Sequence, residues 1–181
     1  MQTSPVTPIS GQVNIVQAEE IDLVSMEWDG EYSHFRHMFT DTYQLTLLGQ
    51  AKIWVAKTFT NYLIGQVFVS MKGGRPELAD GMIRAYVFGF RVRPEYRNLG
   101  IGTMMMRTVE EDLYQNSYRV VTLNVAQINH AARRFYERLG YRIVGDDPGY
   151  WSYLDQYGHK QQVHEPAWRM EKELLRYGVY Q

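Results

Sequence analysis

The sequence lacks cysteine, a surplus of either charge and any long apolar run. Without cysteine, disulfides, thiolate metal sites and a cysteine nucleophile are excluded. Lysine and arginine number 19 against 20 aspartates and glutamates, so the formal net charge is −1. A protein that binds nucleic acid needs a basic surplus to neutralise phosphates. We therefore expect no nucleic acid as the principal partner of this chain.

No segment of the sequence predicts a signal peptide or a membrane span. Residues 1–12 contain two prolines but neither a cationic start nor an apolar core, so they predict a flexible N-terminal tail. The apolar runs are far shorter than the roughly 20 residues of a membrane helix. Residues 13–181 suit one soluble domain, since the chain is 45% hydrophobic and 22% charged. We expect a cytoplasmic protein with no membrane partner.

Hydrophobic periodicity predicts a mixed α/β domain. Ile101, Met105, Val109 and Leu113 form one apolar stripe at helical spacing, between segments that alternate as strands do. Gly89, inside the longest β-prone run, marks a bulge or a close backbone approach. Strands joined by a crossing helix are expected to pair in parallel. The predicted strands are 13–16, 52–58, 62–71, 82–92, 120–126, 141–145 and 168–174; the predicted helices are 18–49 (broken near residue 29), 101–116 and 129–139; and residues 146–166 are predicted as a long loop.

A glycine-spaced turn joins the strand at 82–92 to the helix that follows. Residues 90–103 read FRVRPEYRNLGIGT. Gly100 and Gly102 let the backbone approach a bulky anion, and the free N–H groups of the first helical turn point towards it. Arg97 lies close enough in sequence to reach the same phosphates. The segment therefore predicts a pyrophosphate site.

Two common kinds of pyrophosphate loop do not fit these residues. The dinucleotide fingerprint requires a third glycine where Met105 stands, and the mononucleotide P-loop requires lysine where Thr103 stands. Taken alone, two spaced glycines indicate a helix start as readily as a ligand site.

Two ordered blocks of residues narrow the choice. The first is Val92 and Pro94 followed by R-x-x-G-x-G, and the second reads N-x-x-A-x-x-F-Y-x-x-x-G-Y from Asn129 to Tyr141. A helix and a strand separate them. Together the blocks resemble the signature of the GNAT acetyltransferases. The resemblance covers about residues 82–145, whereas the N-terminal part matches only in its order of elements.

The resemblance implies a fold and a co-substrate. The fold is α/β (α+β), with a mixed, mostly antiparallel central sheet, a splayed parallel strand pair and helices on both faces. Acetyl-CoA would lie between strands 82–92 and 120–126, with no metal, and family members are often homodimers. The implied cofactor-binding residues are Phe90, Arg91, Val92, Arg97, Asn98, Leu99, Gly100, Ile101, Gly102, Thr103, Asn129, Ala132 and Tyr136.

The resemblance also implies acetyl transfer to a primary amine of a small molecule or protein, which the sequence does not identify. Tyr136 is the implied catalytic acid for the departing thiolate; the alternative is a tyrosine that only packs. Many family members carry a glutamate that serves as the general base on the strand before the loop. Residues 85–92 of this sequence contain no carboxylate. The base stays open among water, Glu27, Asp29, Glu31 and a group in 146–166. A catalytically inactive acyl-CoA-binding sensor or interaction domain is the alternative function.

Two groups of side chains are assigned a packing role or a ligand role. On the helix at 129–139, Ile128, Ala131, Phe135 and Leu139 predict a core stripe, while Asn129, Ala132, Tyr136 and Gly140 suit a face against a polar ligand. The aromatic residues fit either the core or an acceptor pocket. They are Trp28, Tyr32, Tyr150, Trp151 and Tyr153.

Overall fold

The computed structural model describes residues 13–175. The tail predicted for 1–12 and the end of the predicted domain, 176–181, lie outside the described residues. The elements, in chain order, are β1 (Val13–Gln17), α1 (Asp22–Ser25), a 3-10 turn (Ser33–Phe35), α2 (Arg36–Leu47), β2 (Ala51–Thr58), β3 (Leu63–Ser70), β4 (Arg84–Val92), a 3-10 turn (Pro94–Tyr96), α3 (Ile101–Gln115), β5 (Val120–Ala126), α4 (His130–Arg138), β6 (Arg142–Asp147), β7 (Tyr150–Leu154), β8 (Lys160–His164) and β9 (Ala167–Glu173).

One twisted sheet of seven strands forms the centre of the molecule. Its order is β1-β2-β3-β4-β5-β9-β6. Neighbours pair antiparallel except β4 and β5, which are parallel because α3 crosses between them. The mixed, mostly antiparallel sheet with one parallel pair confirms the predicted fold. Within residues 13–175, no helix is both long and apolar enough to cross a membrane.

The parallel pair separates halfway along its length. Pairing runs from Arg84 with Val120 to Val87 with Leu123 and then stops, although both strands continue. Beyond Val87, the edge of β4 that faces β5 has no strand partner in the described structure. The β3–β4 register shifts at the same level. The predicted splay is therefore confirmed.

Gly89 is the residue that permits this bulge. Its φ is +59°, a left-handed conformation that side chains rarely adopt. A Cβ atom at this position would lie 2.6 Å from Cδ2 of Phe68, which is fully buried. Space and backbone geometry therefore both require glycine here.

The two faces of the sheet carry separate apolar clusters. On one face, the predicted α3 stripe is confirmed, because Met105, Val109 and Leu113 are each 0% exposed. On the opposite face, α1 and α2 pack Met26 and Phe39 against the sheet. The sheet thus separates a surface covered by α3 and α4 from one covered by α1 and α2.

Three details of the sequence prediction are wrong. The first helical segment is shorter than 18–49, because α1 begins at Asp22 and α2 ends at Leu47. The break predicted near residue 29 is confirmed by positive φ angles at Trp28, Asp29 and Gly30. The predicted loop at 146–166 contains the β7–β8 hairpin. Its strands are mostly exposed, so they lack the apolar alternation that reveals a half-buried strand. The turn is held by Asp155, whose carboxylate accepts from two backbone N–H groups at 2.9 Å.

The predicted core stripe of α4 is also displaced. Ile128 is 84% exposed and Ala131 is exposed, whereas Tyr136 is only 7% exposed. The helix begins at His130, so Ile128 precedes it and does not share its periodicity. Phe135 and Leu139 do pack against the core as predicted, beside Tyr136, which is the buried centre of the inner face.

Candidate active site

A cleft between the start of α3 and the inner face of α4 collects most of the predicted cofactor residues. Its volume is about 630 Å³, and we call it the α3–α4 cleft. Leu99 and Ile101 are the predicted residues that do not line it: Leu99 is 41% exposed and Ile101 is 1% exposed in the core. The lining residues are Phe90, Arg91, Val92, Arg97, Asn98, Gly100, Gly102, Thr103, Asn129, Ala131, Ala132, Phe135, Tyr136 and Arg138.

The N-terminus of α3 opens into this cleft without a cap. Gly100 precedes the helix in a left-handed conformation, with φ +82°, and no side chain among the described residues caps the helix. The first helical bond runs from the Met104 N–H to the Gly100 carbonyl at 3.0 Å. The N–H groups of Ile101, Gly102 and Thr103 therefore have no acceptor among residues 13–175. Free N–H groups at the positive end of a helix dipole form an anion site.

The side chains of the cleft add positive charge. Arg97 and Arg138 line it, and no aspartate or glutamate within the described part of the chain does. Arg97 donates from Nε to the Val92 carbonyl at 2.8 Å. That bond fixes the base of the guanidinium and leaves its terminal N–H groups for a ligand. Sequence reasoning missed Arg138, because its position is set by the start of α4 rather than by the glycine motif.

Tyr136 forms the inner wall of the cleft. Its ring lies 5.1 Å from that of Phe135 and 6.4 Å from that of Phe90, measured between centroids. Burial raises the pKa of Tyr136, and the neighbouring phenol of Tyr86 adds to the effect. The hydroxyl is therefore a neutral hydrogen-bond donor at physiological pH.

Asn129 holds its position in the cleft wall because it caps the N-terminus of α4. It precedes α4, and its side-chain oxygen accepts the Ala132 N–H at 3.0 Å, which makes it the N-cap. Its amide NH₂ remains available at the cleft wall. This cap sets where α4 begins, and thereby where Tyr136 stands.

A second cavity lies on the opposite face of β4. Its volume is about 420 Å³, and we call it the aromatic pocket. Arg91, next but one to Gly89 in β4, borders both cavities. The lining residues are Phe35, Met38, Arg75, Leu78, Tyr86, Phe88, Gly89, Arg91, Asn124, Ala126, Asp147, Gly149, Tyr150, Trp151, Glu165 and Ala167.

A buried carboxylate forms part of the floor of the aromatic pocket. Asp147 is 4% exposed, accepts the Gly149 N–H at 2.8 Å and pairs with Arg75 at 2.6 Å. Burial by itself would raise the pKa of Asp147, but the Gly149 N–H, Arg75 and the Asn124 amide together hold it below the usual range. Asp147 is therefore an anion at neutral pH. Burial, with the charge of Asp147, raises the pKa of Tyr86 to about 12.

The N-terminal carboxylates that the sequence left open as the base line neither of the two cavities. Glu27 is bound by Arg36 at 2.6 Å, and this hydrogen bond lowers the pKa of Glu27. Asp29 is an exposed side chain 3.4 Å from Arg93. Neither of these lines a cavity with Arg91, and nor does Glu31. Asp147 and Glu165, from the segment predicted as a loop, do line the aromatic pocket.

The aromatic residues divide between core and pocket. Trp28 is 4% exposed and belongs to the core, whereas Tyr150 and Trp151 line the aromatic pocket. Tyr32 lies under the Arg91 guanidinium, with 4.4 Å from Cζ to the ring centroid. Tyr153 lies behind the pocket wall, where its ring is 4.8 Å from that of Phe35. The sequence could not separate these roles, because they depend on the β7–β8 hairpin.

Comparison with known proteins gives the family. The acetyltransferase (GNAT) family model matches residues 19–141, more than half of the 181-residue chain. The chain therefore belongs to the GNAT acetyltransferase family. It is 26% identical over 125 residues to the probable N-acetyltransferase camello of Xenopus tropicalis, a match that covers 67% of this chain and 57% of that protein. The chain thus spans little more than half the length of this curated relative.

Solved structures share the whole fold. Ard1 from Thermoplasma volcanium matches with a TM-score of 0.70 at 18% identity, over 91% of this chain and 99% of that one. The protein yncA from Salmonella typhimurium, solved with its cofactor acetyl-CoA, matches with a TM-score of 0.68 at 12% identity, over 93% and 98%. These likenesses extend the fold beyond the motif region to the N-terminal elements.

Proposed function

We propose that the protein is an N-acetyltransferase that moves the acetyl group of acetyl-CoA to a primary amine. The observation that carries the proposal is a pair of cavities on opposite faces of β4 that share Arg91 beside the Gly89 bulge. One is cationic and ends at an uncapped helix N-terminus; the other is aromatic and contains a buried carboxylate. This arrangement suits a large anionic donor on one side of β4 and an amine on the other.

The residues of the α3–α4 cleft fit acetyl-CoA. The free N–H groups at Gly102 and Thr103 would hold the pyrophosphate, with Arg97 beside them. The unpaired edge of β4 beyond Val87 would bond to the pantetheine arm as a short additional strand does. Asn129 would offer its amide NH₂ to the same arm. Acetyl-CoA, when bound, supplies the acetyl group as a thioester.

The chemistry assigns separate tasks to the two faces. The neutral amine nitrogen bonds to the carbonyl carbon and the C–S bond breaks, so the nitrogen loses one proton and the sulfur gains one. A free N–H of β4 near Phe90 would stabilise the oxyanion. The Tyr136 hydroxyl would donate to the departing sulfur, since burial keeps it protonated. On the other face, Asp147 would attract the amine, but its low pKa makes it a weak base, so water completes the deprotonation.

Turnover distinguishes this proposal from an inactive acyl-CoA sensor. The experiment is a panel of primary amines with acetyl-CoA, followed by the release of free CoA and by the mass of the acetylated product. The proposal predicts amine-dependent CoA release that falls on changing Tyr136 to phenylalanine. Tight acetyl-CoA binding with no product from any amine would instead support a sensor.

A further inference from the structure

Arg91 is turned towards the acceptor side by the bulge in β4. Tyr86 and Phe88 line the aromatic pocket, and Phe90 would follow them in a regular strand. The additional residue at Gly89 places the Phe90 ring against α4 instead, 5.9 Å from that of Phe135. Arg91 then returns to the pocket face. Only its backbone is left to face the splayed edge that suits the co-substrate.

The Arg91 guanidinium combines partial burial with the absence of an ion-pair partner among the described residues. It is partly buried, with Cζ 4.4 Å from the Tyr32 ring centroid and 5.1 Å from that of Phe35. No carboxylate among residues 13–175 forms an ion pair with it, and Glu31 acts on it only through longer-range attraction and through Tyr32. Burial lowers the pKa of Arg91. A desolvated cation without a counter-ion is costly, so this position favours an anionic ligand.

The donors of Arg91 are also largely unused. Its protein contacts are a long hydrogen bond of 3.5 Å from Nη1 to the Gly89 carbonyl and the Tyr32 side chain. A guanidinium carries five N–H donors in a planar fork that matches a carboxylate. The two rings hold this fork in place, because a cation is attracted to an aromatic face.

The far wall of the pocket offers the complementary group. Asn124 is the first β5 residue beyond the last pair with β4, so it stands where the strands splay. Its side-chain amide helps to lower the pKa of Asp147, so the NH₂ group is the end that faces Asp147 and the amide oxygen is the other end. That oxygen is buried and has no hydrogen-bond partner among the described residues. It is an acceptor suited to the N–H groups of an amine.

These features define the charge pattern of one ligand class. We propose that the acceptor is a free amino acid or a close analogue, a small zwitterion whose carboxylate binds Arg91 and whose amino group faces Asn124. Its side chain would lie against Phe88, Tyr150 and Trp151, so it is apolar or aromatic. The inference rests on the proposed acetyl transfer. Arg91 adjoins the Gly89 bulge and borders both cavities, so a carboxylate bound to it would lie next to the reacting nitrogen, as in an α-amino acid.

Matched pairs of amines test the carboxylate directly. L-Phenylalanine is compared with phenylalanine amide and with 2-phenylethylamine, and L-leucine with 3-methylbutylamine. The kcat/KM of each is measured by CoA release. A hydrogen-bonded charge is worth about a 10- to 100-fold difference, so the amino acids should be favoured by at least that factor. Equal or better kcat/KM for the compounds that lack the carboxylate overturns the proposal.

Variants assign the preference to Arg91. Arg91→Gln should reduce the ratio of kcat/KM between amino acid and amine to within about threefold, and should weaken acetyl-CoA binding far less. Arg107→Gln removes an exposed guanidinium on α3, outside both cavities, and should leave the ratio unchanged. An Arg91→Gln variant that loses acetyl-CoA affinity but keeps the preference would assign Arg91 to the co-substrate and refute the inference.

A binding measurement separates the inference from the proposed activity. Calorimetry of the same amines with the CoA-saturated protein requires no turnover. Binding of L-phenylalanine but not of 2-phenylethylamine, without acetylation of either, would refute the acetyltransferase proposal and retain the amino-acid site at Arg91. Equal binding within the pairs, or no binding and no turnover of any amino acid in the panel, would refute the inference.

Discussion

The Gly89 bulge provides the sharpest structural prediction. Alanine at Gly89 has two costs, a left-handed backbone and a steric clash, and substitutions at two other glycines of this chain allow the two costs to be measured separately. Gly89→Ala combines a φ of +59° with a Cβ atom 2.6 Å from the fully buried Phe68 ring. Gly49→Ala has a φ of +69° with no atom within 4 Å of its Cβ. At Gly74 neither cost arises, since its Cβ has nothing within 4 Å and no positive φ is found there.

The magnitudes follow from these geometries. A left-handed alanine costs about 1–2 kcal/mol, and overpacking a core side chain costs about 1–3 kcal/mol more. We expect the free energy of unfolding to fall by about 1 kcal/mol for Gly49→Ala and by about 3 kcal/mol for Gly89→Ala. Gly74→Ala should stay within about 0.5 kcal/mol of the parent protein.

Urea denaturation followed by circular dichroism measures the three values, with the m-value as a check on the two-state transition. The Gly89 bulge also determines that Phe90 and Arg91 lie on their observed faces of β4. Gly89→Ala should therefore lower amine acetylation by more than its effect on stability explains. A Gly89→Ala protein no less stable than Gly49→Ala would refute the reasoning, since the contact with Phe68 would then carry no cost.

Three further predictions concern catalysis, the core and pH. Tyr136→Phe should lower kcat by about 10²–10⁴-fold and change the acetyl-CoA dissociation constant little, as steady-state assays of CoA release and calorimetry would measure; equal kcat removes Tyr136 as the acid. Lys172→Met leaves Glu110, 1% exposed and 2.6 Å from the Lys172 ammonium, without its counter-ion, and should cost about 3–5 kcal/mol by urea denaturation; a cost near zero contradicts the pairing. Because the folded-state pKa of Asp147 is depressed, its stabilisation is present above the ordinary carboxyl pKa and is lost as the pH falls through the folded value. Asp147→Asn should flatten this acid dependence in urea midpoints, and an unchanged slope would contradict it.

The motif half of the site could be predicted from the sequence because its parts are local. Gly100 and Gly102 lie at the start of α3, and Asn129 caps α4, which carries Tyr136, so short-range spacing fixes what each pair faces. The apolar stripe of α3 was predictable for the same reason. The core position predicted for Ile128 was wrong, because the N-cap Asn129, and not the apolar pattern, decides where α4 begins.

The acceptor half could not be predicted, because distant segments assemble it. Arg75 and Asp147 form an ion pair from a loop after β3 and the end of β6. The Arg91 side chain lies on the pocket face only because of a one-residue bulge. The alternation of side chains along a strand does not predict the face of a residue that follows a bulge, unless the position of the bulge is known. The exposed β7–β8 hairpin carries no burial pattern, so Trp151 had no predictable neighbour.

Calorimetric titration with acetyl-CoA tests the central claim most directly, with NAD as the control ligand and Gly102→Trp as the matched variant. A Cβ atom at position 102 would lie 3.3 Å from Cζ of Phe135 and 3.4 Å from Cζ of Phe90, so an indole there would fill the cleft. The account predicts that the parent protein binds acetyl-CoA and not NAD, and that the variant, although folded, does not bind acetyl-CoA. Absence of acetyl-CoA binding by the parent protein, or undiminished affinity in the variant, would contradict it.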